Sequence, residues 1–502
     1  VEALAGSGKT TTLVEAVCRT PESQRVLVCA FNAAIAKELA SRLPADVDCR
    51  TLHSLGLRAL TAAQGRREVD GDATMARAKR LLGNRWDSSD ARRALCKLVS
   101  LAKATLTLAA DELDALADRY GLEFPEKCDR ARMCRQAEAI LRETLASTGG
   151  PIDFDDMIWL PIVLDLPIPT YDWVFVDETQ DLNPTQLELC VRAAGARGRI
   201  VAIGDRHQAI YGFRGADRAA IPRMITRLSA ATLPLNVTYR CPLAVVREAQ
   251  RYVPALCAAP GAAPGVVREC EAPELTAHAA PGDAVISRTN APLIVLCLRW
   301  LAEGRRASIR GRDIGAGLIA WVRGQRARTV PELVGAIRTW SERETARLIA
   351  AERPCDHVAE RAACLEALTI GAASPAEVLE RCERLFSDAD GAGSIVCSST
   401  HRAKGLEFPR VWMLRDTFGQ WPGQEEKNLT YVAITRAQRE LVFVRGVGGT
   451  RRRQEFKRVG EGAMPVPRHA ATLGSRPSWL PDDEDDEDGE DDEQITREDP
   501  QP

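Results

Sequence analysis

Short runs of apolar, often β-branched residues recur after polar turns along this chain, at 25–30, 173–176, 199–203, 284–287, 395–398, 411–414 and 440–444. Helical patterns alternate with them, at 33–43 and 185–194 among others. That alternation predicts an α/β fold with parallel sheets covered by helices. Two stretches break it. Residues 60–150 and 305–393 are rich in Ala, Leu and Arg at helical spacing and read as helical insertions. The pattern then divides the chain into a first lobe at 1–59 and 151–228 with its insertion at 60–150, and a second lobe at 229–304 and 394–445 with a reduced insertion at 305–393. Periodicity is lost over 446–502. A glycine cluster (Gly446, Gly448, Gly449) and the basic run 451–453 lead into the low-complexity run 482–493, which is expected to be disordered. No repeat of 20–50 residues stands out.

Composition narrows the picture. The 502 residues suffice for about two to four domains, and 45% hydrophobic content supports sizeable cores. No run of 18 apolar residues and no signal peptide is visible, so no membrane partner is expected. The fifteen cysteines form no C-x-x-C pair, and the closest two are Cys128 and Cys134. That spacing argues against a zinc ribbon or an iron–sulfur ligand set and for thiols kept in an intracellular, reducing compartment. Such a location is the cytoplasm of a bacterial or phage-infected cell, or the nucleus of a eukaryote. The net charge of −3 hides an asymmetry: residues 482–502 hold thirteen acids and one base (Arg497), which leaves 1–481 at +9. A basic body with an acidic tail points to a polyanion partner, or to a basic protein or the chain's own basic cleft as the tail's partner.

The sharpest chemistry lies at the start. Val1-Glu2-Ala3-Leu4-Ala5-Gly6-Ser7-Gly8-Lys9-Thr10 reads as a strand, a glycine-rich turn and a helix start, the layout of a phosphate-binding loop. Gly6, Ser7, Gly8, Lys9, Thr10 and Thr11 form the candidate phosphate-binding set. In it Lys9 reaches the β- and γ-phosphates of ATP, and Thr10 offers a hydroxyl to Mg²⁺. Val1 already lies in the strand, so the chain is expected to lack its natural start. The strand 173–176 runs into Asp177 and Glu178. In a phosphate-loop protein Asp177 would hold Mg²⁺ and Glu178 would orient and deprotonate the attacking water. An acidic cap on the next helix is the plainer alternative. After the strand 200–203 come Gln208, an amide suited to sensing a γ-phosphate, and then Tyr211, Phe213 and Arg214. Phe213 beside Arg214 suits base stacking with phosphate contact, or Phe213 is a core aromatic.

Together these runs resemble motifs I, II and III of superfamily 1 DNA helicases of the UvrD/Rep/PcrA type, and further motifs follow in that family's order. Cys29-Ala30-Phe31-Asn32 resembles motif Ia and Thr51-Leu52-His53-Ser54 motif Ib. Thr238-Tyr239-Arg240 resembles motif IV, and Ser287-Arg288-Thr289-Asn290 the strand segment after it. The run from Ser399 through Thr400, His401, Lys404, Gly405 and Glu407 to Phe408 resembles motif V, and Tyr431-Val432-Ala433-Ile434-Thr435-Arg436-Ala437 motif VI. The wording around 31–43 and 51–56 is closer to the F-box DNA helicase and phage-type branches.

The resemblance implies two RecA-like lobes with ATP between them. The first lobe would supply Lys9, Thr10, Asp177, Glu178 and Gln208, and the second Arg240 and Arg436 as guanidiniums on the γ-phosphate. Arg240 and Arg436 also have a plainer reading as ion-paired surface residues. The resemblance further implies that Tyr239 stacks on adenine, that Glu407 bonds the ribose, and that Gly405 belongs to the nucleotide site. Single-stranded and forked DNA would meet Phe31, Asn32, Thr51, His53, Tyr211, Phe213, Arg214, Thr400 and His401, with 3′→5′ movement and a monomer as the expected state. For His53 and His401 a satisfied structural histidine is the alternative. The family's upstream glutamine motif is not in this sequence, which puts adenine selectivity in doubt. The implied activity is ATP-dependent DNA unwinding in replication, repair or recombination. The alternatives are a translocase that strips bound proteins with little unwinding, and an ATP-gated scaffold that does not turn over.

Overall fold

In the computed structural model, residues 1–447 are described apart from 31, 87–88, 121, 123, 126–127, 211–219, 351–354, 387–392 and 421–422. Four parallel strands form the first sheet, in the order Asp48–Thr51, Val26–Ala30, Trp173–Val176 and Arg199–Ala202. Val26–Ala30 is buried on both faces, which is why it reads as an unbroken apolar run rather than an alternating one. Leu27 and Cys29 face the side packed by Leu52, Ile158, Leu187 and Cys190. Val26, Val28 and Ala30 face Leu13, Val17 and Leu39 of the helices Lys9–Val17 and Ala33–Ala40. Beyond Arg199–Ala202 the short strand Glu2–Ala3 joins through Ala3 N–H to Gly204 O (2.8 Å) and pairs in parallel with Pro234–Leu235. The strand that opens the chain is thereby pinned between two others, and the turn after it is held at the sheet's C-terminal edge.

The helix Leu52–Gln64 crosses Phe154–Val163 so closely that a Cβ on Gly56 would meet the Met157 carbonyl oxygen at 2.1 Å. Above them Ala73–Trp86, Ser89–Thr105, Ala110–Arg119 and Arg130–Ala146 close around Leu95, Leu98, Ile140 and Trp159. Gly83 (φ 66°) breaks the first of these four.

The second sheet has six strands, all parallel, ordered Ala307–Ile309, Ile395–Ser399, Ala284–Ser287, Phe408–Leu414, Ala437–Arg445 and Val266–Glu271. One face packs on Val245, Tyr431 and Ala433, the other on Leu293, Trp300, Leu365 and Leu385. The helices Arg312–Gly324, Val330–Ala350, Asp356–Thr369 and Pro375–Leu385 extend that second core. The two outer strands were missed by the apolar pattern. Val266–Glu271 carries Arg268, Glu269 and Glu271, the charges an edge strand tolerates and uses against unwanted pairing. Ala307–Ile309 lies inside the 305–393 stretch, and Pro234–Leu235, beyond residue 228, pairs with Glu2–Ala3 in a two-stranded sheet of their own. Both sheets belong to one compact unit, Val1–Gly449. Among the described residues no helix is long and apolar enough to cross a membrane. The acidic run lies outside the described residues.

Candidate nucleotide-binding site

Gly6 (φ 70°) and Gly8 (φ 82°) take left-handed conformations that other residues adopt only at a cost, and this curls the chain between Ala5 and the helix Lys9–Val17. Gly6 is constrained twice, because a Cβ there would lie 2.5 Å from Thr238 Oγ1 and 2.6 Å from Arg240 Cβ. In front of Gly8 there is open space, with nothing within 4 Å of a built Cβ. The first-turn amides of the helix face out of its end, a ready anion site. Ser7 is buried, and its hydroxyl has no hydrogen-bond partner.

The strand Trp173–Val176 delivers Asp177 and Glu178 beside this loop. Glu178 sits at φ 49°, a strained turn for a non-glycine residue, and places Oε1 3.6 Å from Lys9 Nζ. Burial opposes its ionisation, but the Lys9 and Lys404 ammoniums and the Gln180 amide outweigh that and hold its carboxyl down at about 2. Asp177 is pushed up to about 6 by burial and by the neighbouring Glu178 charge. Two adjacent carboxylates thus differ in proton affinity because the lysines favour one of them.

Residues beyond 228 close the other side. Arg240 donates to Thr435 O at 3.4 Å and pairs with Glu407, while its Nε is buried without a partner. Arg436 is fully buried, with bonds to Val432 O (3.0 Å), Leu406 O (3.1 Å) and Gln208 Oε1 (3.5 Å). Burial and the Arg240 charge lower its pKa to about 10, which still leaves it a cation at neutral pH. Gln208 donates in turn to Asp205 Oδ2 at 2.8 Å. Lys404 reaches Asp181 at 2.6 and 2.8 Å and the Gln208 carbonyl at 2.7 Å. Gly405 (φ 84°) follows it, and Tyr239 stands 74% exposed beside the loop, with its amide bonded to Gly6 O at 2.8 Å. Lys9, Asp177, Glu178, Gln208, Arg240 and Arg436 therefore gather around one place, with unsatisfied donors on both sides of it.

The residues read as DNA contacts are placed less uniformly. Asn32 and Thr51 cap helices, accepting from Ile35 N–H (2.9 Å) and Ser54 N–H (3.2 Å). His53 is half-buried near Asp155, and burial lowers its pKa. Thr400 is buried with its hydroxyl directed at Ser287 O, 3.5 Å away, and His401 follows it in the same short helix. Phe31, Tyr211, Phe213 and Arg214 lie outside the described residues. Sequence reasoning passed over Lys404, Asp181, Asn428 and Tyr431 as site residues. Their one signal was membership of the motif runs or, for Asn428, of the helix Gln424–Ile434 that carries the start of the last run.

The chain matches two family descriptions, the UvrD/REP helicase N-terminal domain over residues 1–228 and the UvrD-like helicase C-terminal domain over 375–445. Between them these cover more than half of it. This chain belongs to the UvrD/Rep helicase family. It is 26% identical over 506 aligned positions to F-box DNA helicase protein 1 of Schizosaccharomyces pombe, covering 88% of this chain and 55% of that protein. It is 27% identical over 247 positions to the ATP-dependent DNA helicase PcrA of Leuconostoc citreum, covering 42% of this chain and 31% of that one. The chain thus spans about half, or less, of the curated relatives it matches. The arterivirus nonstructural protein 10 helicase superposes with a TM-score of 0.34 at 14% identity, over 88% of this chain and 58% of that one.

Proposed function

We propose that this UvrD/Rep-family chain is a DNA-dependent ATPase that moves 3′→5′ on single-stranded DNA and unwinds forked duplex. In this reading the two parallel sheets are two RecA-like motor lobes, each with a helical insertion, and ATP binds between them. The observation that carries the proposal is the convergence of Lys9, Glu178 and Gln208, from residues 1–228, with Arg240 and Arg436, from residues 229–445. The unpartnered Ser7 hydroxyl and Arg240 Nε are the kind of donors a triphosphate would satisfy. The open space before Gly8 suits close approach of a phosphate to backbone amides.

Within the site Lys9 binds the β- and γ-phosphates, Glu178 takes a proton from the attacking water, and Gln208 orients toward the γ-phosphate. Arg240 and Arg436 stabilise charge on the transferring phosphoryl group. Thr10 and Asp177 would hold Mg²⁺, which supplies charge neutralisation at the phosphate oxygens. Tyr239 stacks on the adenine, and Glu407, held below the usual carboxylate range by Arg240 despite half-burial, accepts from the ribose. A role in replication, repair or recombination, an intracellular location, and an acidic tail that competes with DNA for the basic body belong to the same proposal.

The deciding experiment measures ATP hydrolysis with and without single-stranded DNA, beside Lys9→Ala. Stimulation of about tenfold or more, abolished in Lys9→Ala, is expected. Strand displacement from substrates with 3′ or 5′ tails then tests direction, and displacement of a bound protein without unwinding would favour the stripping translocase. Equal rates with and without DNA would sink the motor reading.

A further inference from the structure

The helix Gln424–Ile434, from the second half of the chain, presents one face to the first half. Asn428 and Tyr431 are three residues apart and so share that face. Asn428 Nδ2 donates to Arg206 O (3.3 Å) and Ala209 O (3.1 Å), the carbonyls on either side of the Gln208 turn. Its Oδ1 accepts from Gln424 Nε2 at 3.0 Å, which fixes the orientation of the amide. Tyr431 Oη accepts from the Ala5 N–H at 3.0 Å, at the end of the strand that enters the phosphate loop. His207 lies edge-on to the Tyr431 ring, with centroids 6.1 Å apart. Leu429 and Val432 meet Ile210 in a small apolar contact beside them. Asn428 and Tyr431 are both buried, and they reach main-chain atoms that no side-chain change in the first half could remove.

We infer that Asn428 and Tyr431 are positioning residues that hold the Gln208 turn and the phosphate-loop strand against the second half of the chain, in the place from which Arg436 shares the site. Neither touches the reacting atoms on this reading. Asn428 grips the turn that carries Gln208, and Tyr431 grips the strand that carries Gly6 to Lys9. Five and eight residues further on, the same stretch of chain delivers Arg436, which bonds to Gln208 itself. One short segment therefore reads two nucleotide-facing elements and supplies a third. When the halves separate, all three connections break together, and this makes completion of the site conditional on closure. Burial of the Tyr431 phenol, with Asp205 nearby, keeps it neutral far above neutral pH, so its hydroxyl is a constant acceptor.

This inference rests on the ATP-motor reading, and its test separates the two. The full chain is compared with Tyr431→Phe, which deletes one oxygen, and with Asn428→Ala and the near-isosteric Asn428→Asp, which cannot donate. With saturating single-stranded DNA, each variant should lose about tenfold in kcat while KM for ATP stays within about twofold. A merely structural contact would lower the melting temperature and leave kcat per folded molecule unchanged, and that result would overturn the proposal. The second readout is amide hydrogen exchange with and without the Mg²⁺ complex of β,γ-imido-ATP. In the wild-type chain the analogue should slow exchange in 3–12, 204–210 and 424–434. In the variants it should slow exchange in 3–12 but no longer in 424–434. Unchanged protection of 424–434 in all three variants would sink the positioning role alone. Absence of any analogue-dependent protection in the wild-type chain would sink the ATP reading, and the positioning role with it.

Discussion

Lys103 and Lys404 both bind carboxylates, in opposite settings. Lys103 lies within the first helical cluster, 2.7 Å from Asp153 and 2.8 Å from Asp156, and donates to Thr74 Oγ1 at 3.2 Å. Asp153 and Asp156 form a capping box at the start of Phe154–Val163, and the Lys103 ammonium lies 6.0 Å over the Trp159 ring. Every partner belongs to the same packed region. Lys404 comes from the second half of the chain and binds Asp181 and the Gln208 carbonyl of the first half. The apolar support for that crossing includes the small group Ile210, Leu429 and Val432. The same chemistry therefore does two jobs. A charge network closed inside one core is a fixed staple, whereas a pair that spans two sheets is a contact that domain motion can make and break.

The titration of the two centres differs accordingly. Burial opposes the Lys103 charge, but the two carboxylates outweigh it and hold the ammonium above lysine's ordinary 10.5. Its contribution to stability is thus fully present below that value and is lost only as pH rises through the elevated one. The Asp181 pKa is also raised, to about 6, because burial outweighs the pull of Lys404, but in a carboxylate a raised pKa disfavours the charge. Its ionised form is the less favoured one in the folded chain, so its cost appears as pH rises from the ordinary 3.8 through about 6.

The largest expected effect comes from breaking the staple. Lys103→Met leaves two carboxylates in a dry core without their cation and should cost about 3–5 kcal/mol in urea unfolding. A loss below about 1 kcal/mol would mean that the cluster repacks and is no staple. Lys404→Met should cost less, about 1–2 kcal/mol near neutral pH, because Asp181 already lies close to protonation. That deficit should narrow as pH falls from about 7.5 to about 5.5 and Asp181 takes up its proton; the deficit of Lys103→Met narrows too as its stranded carboxylates protonate, but it stays the larger of the two throughout. Equal deficits for the two variants across that range would erase the distinction between them. The same Lys404→Met protein should lose about tenfold or more of DNA-stimulated ATP hydrolysis, since it also releases the Gln208 carbonyl. The smallest effect is expected from Thr74→Val, about 1 kcal/mol for one hydroxyl in the staple, with hydrolysis at the wild-type rate. A large loss of hydrolysis in Thr74→Val would show that the helical cluster communicates with the nucleotide site.

Much of the fold was legible because its signals are local. The central strands Val26–Ala30, Trp173–Val176, Ala284–Ser287 and Ile395–Ser399 are buried apolar runs that a short window reveals. Edge strands such as Val266–Glu271 lack that signal because water covers one side of them. The glycine-rich turn was legible for a related reason: Gly6, Gly8 and Lys9 are set by backbone shape and chain order within a few residues. Asn32 and Thr51, read as DNA contacts, serve in the structure as helix caps, a role written in their own short polar side chains just before a helical run, since the donors three positions on are main-chain N–H groups.

The sequence by itself determined which segments become the central parallel strands and where the glycine-rich turn and the Asp177–Glu178 pair fall, because dihedral preference, periodicity and hydrophobicity act between near neighbours. Only the tertiary structure decided that Ala5 meets Tyr431 across 426 residues, that Lys404 meets Asp181 across 223, and that Glu178 rather than Asp177 keeps the lower pKa. Those outcomes depend on distance and burial between atoms far apart in the chain. Electrostatic and hydrogen-bond energies are set by that distance and burial, and no local pattern encodes them.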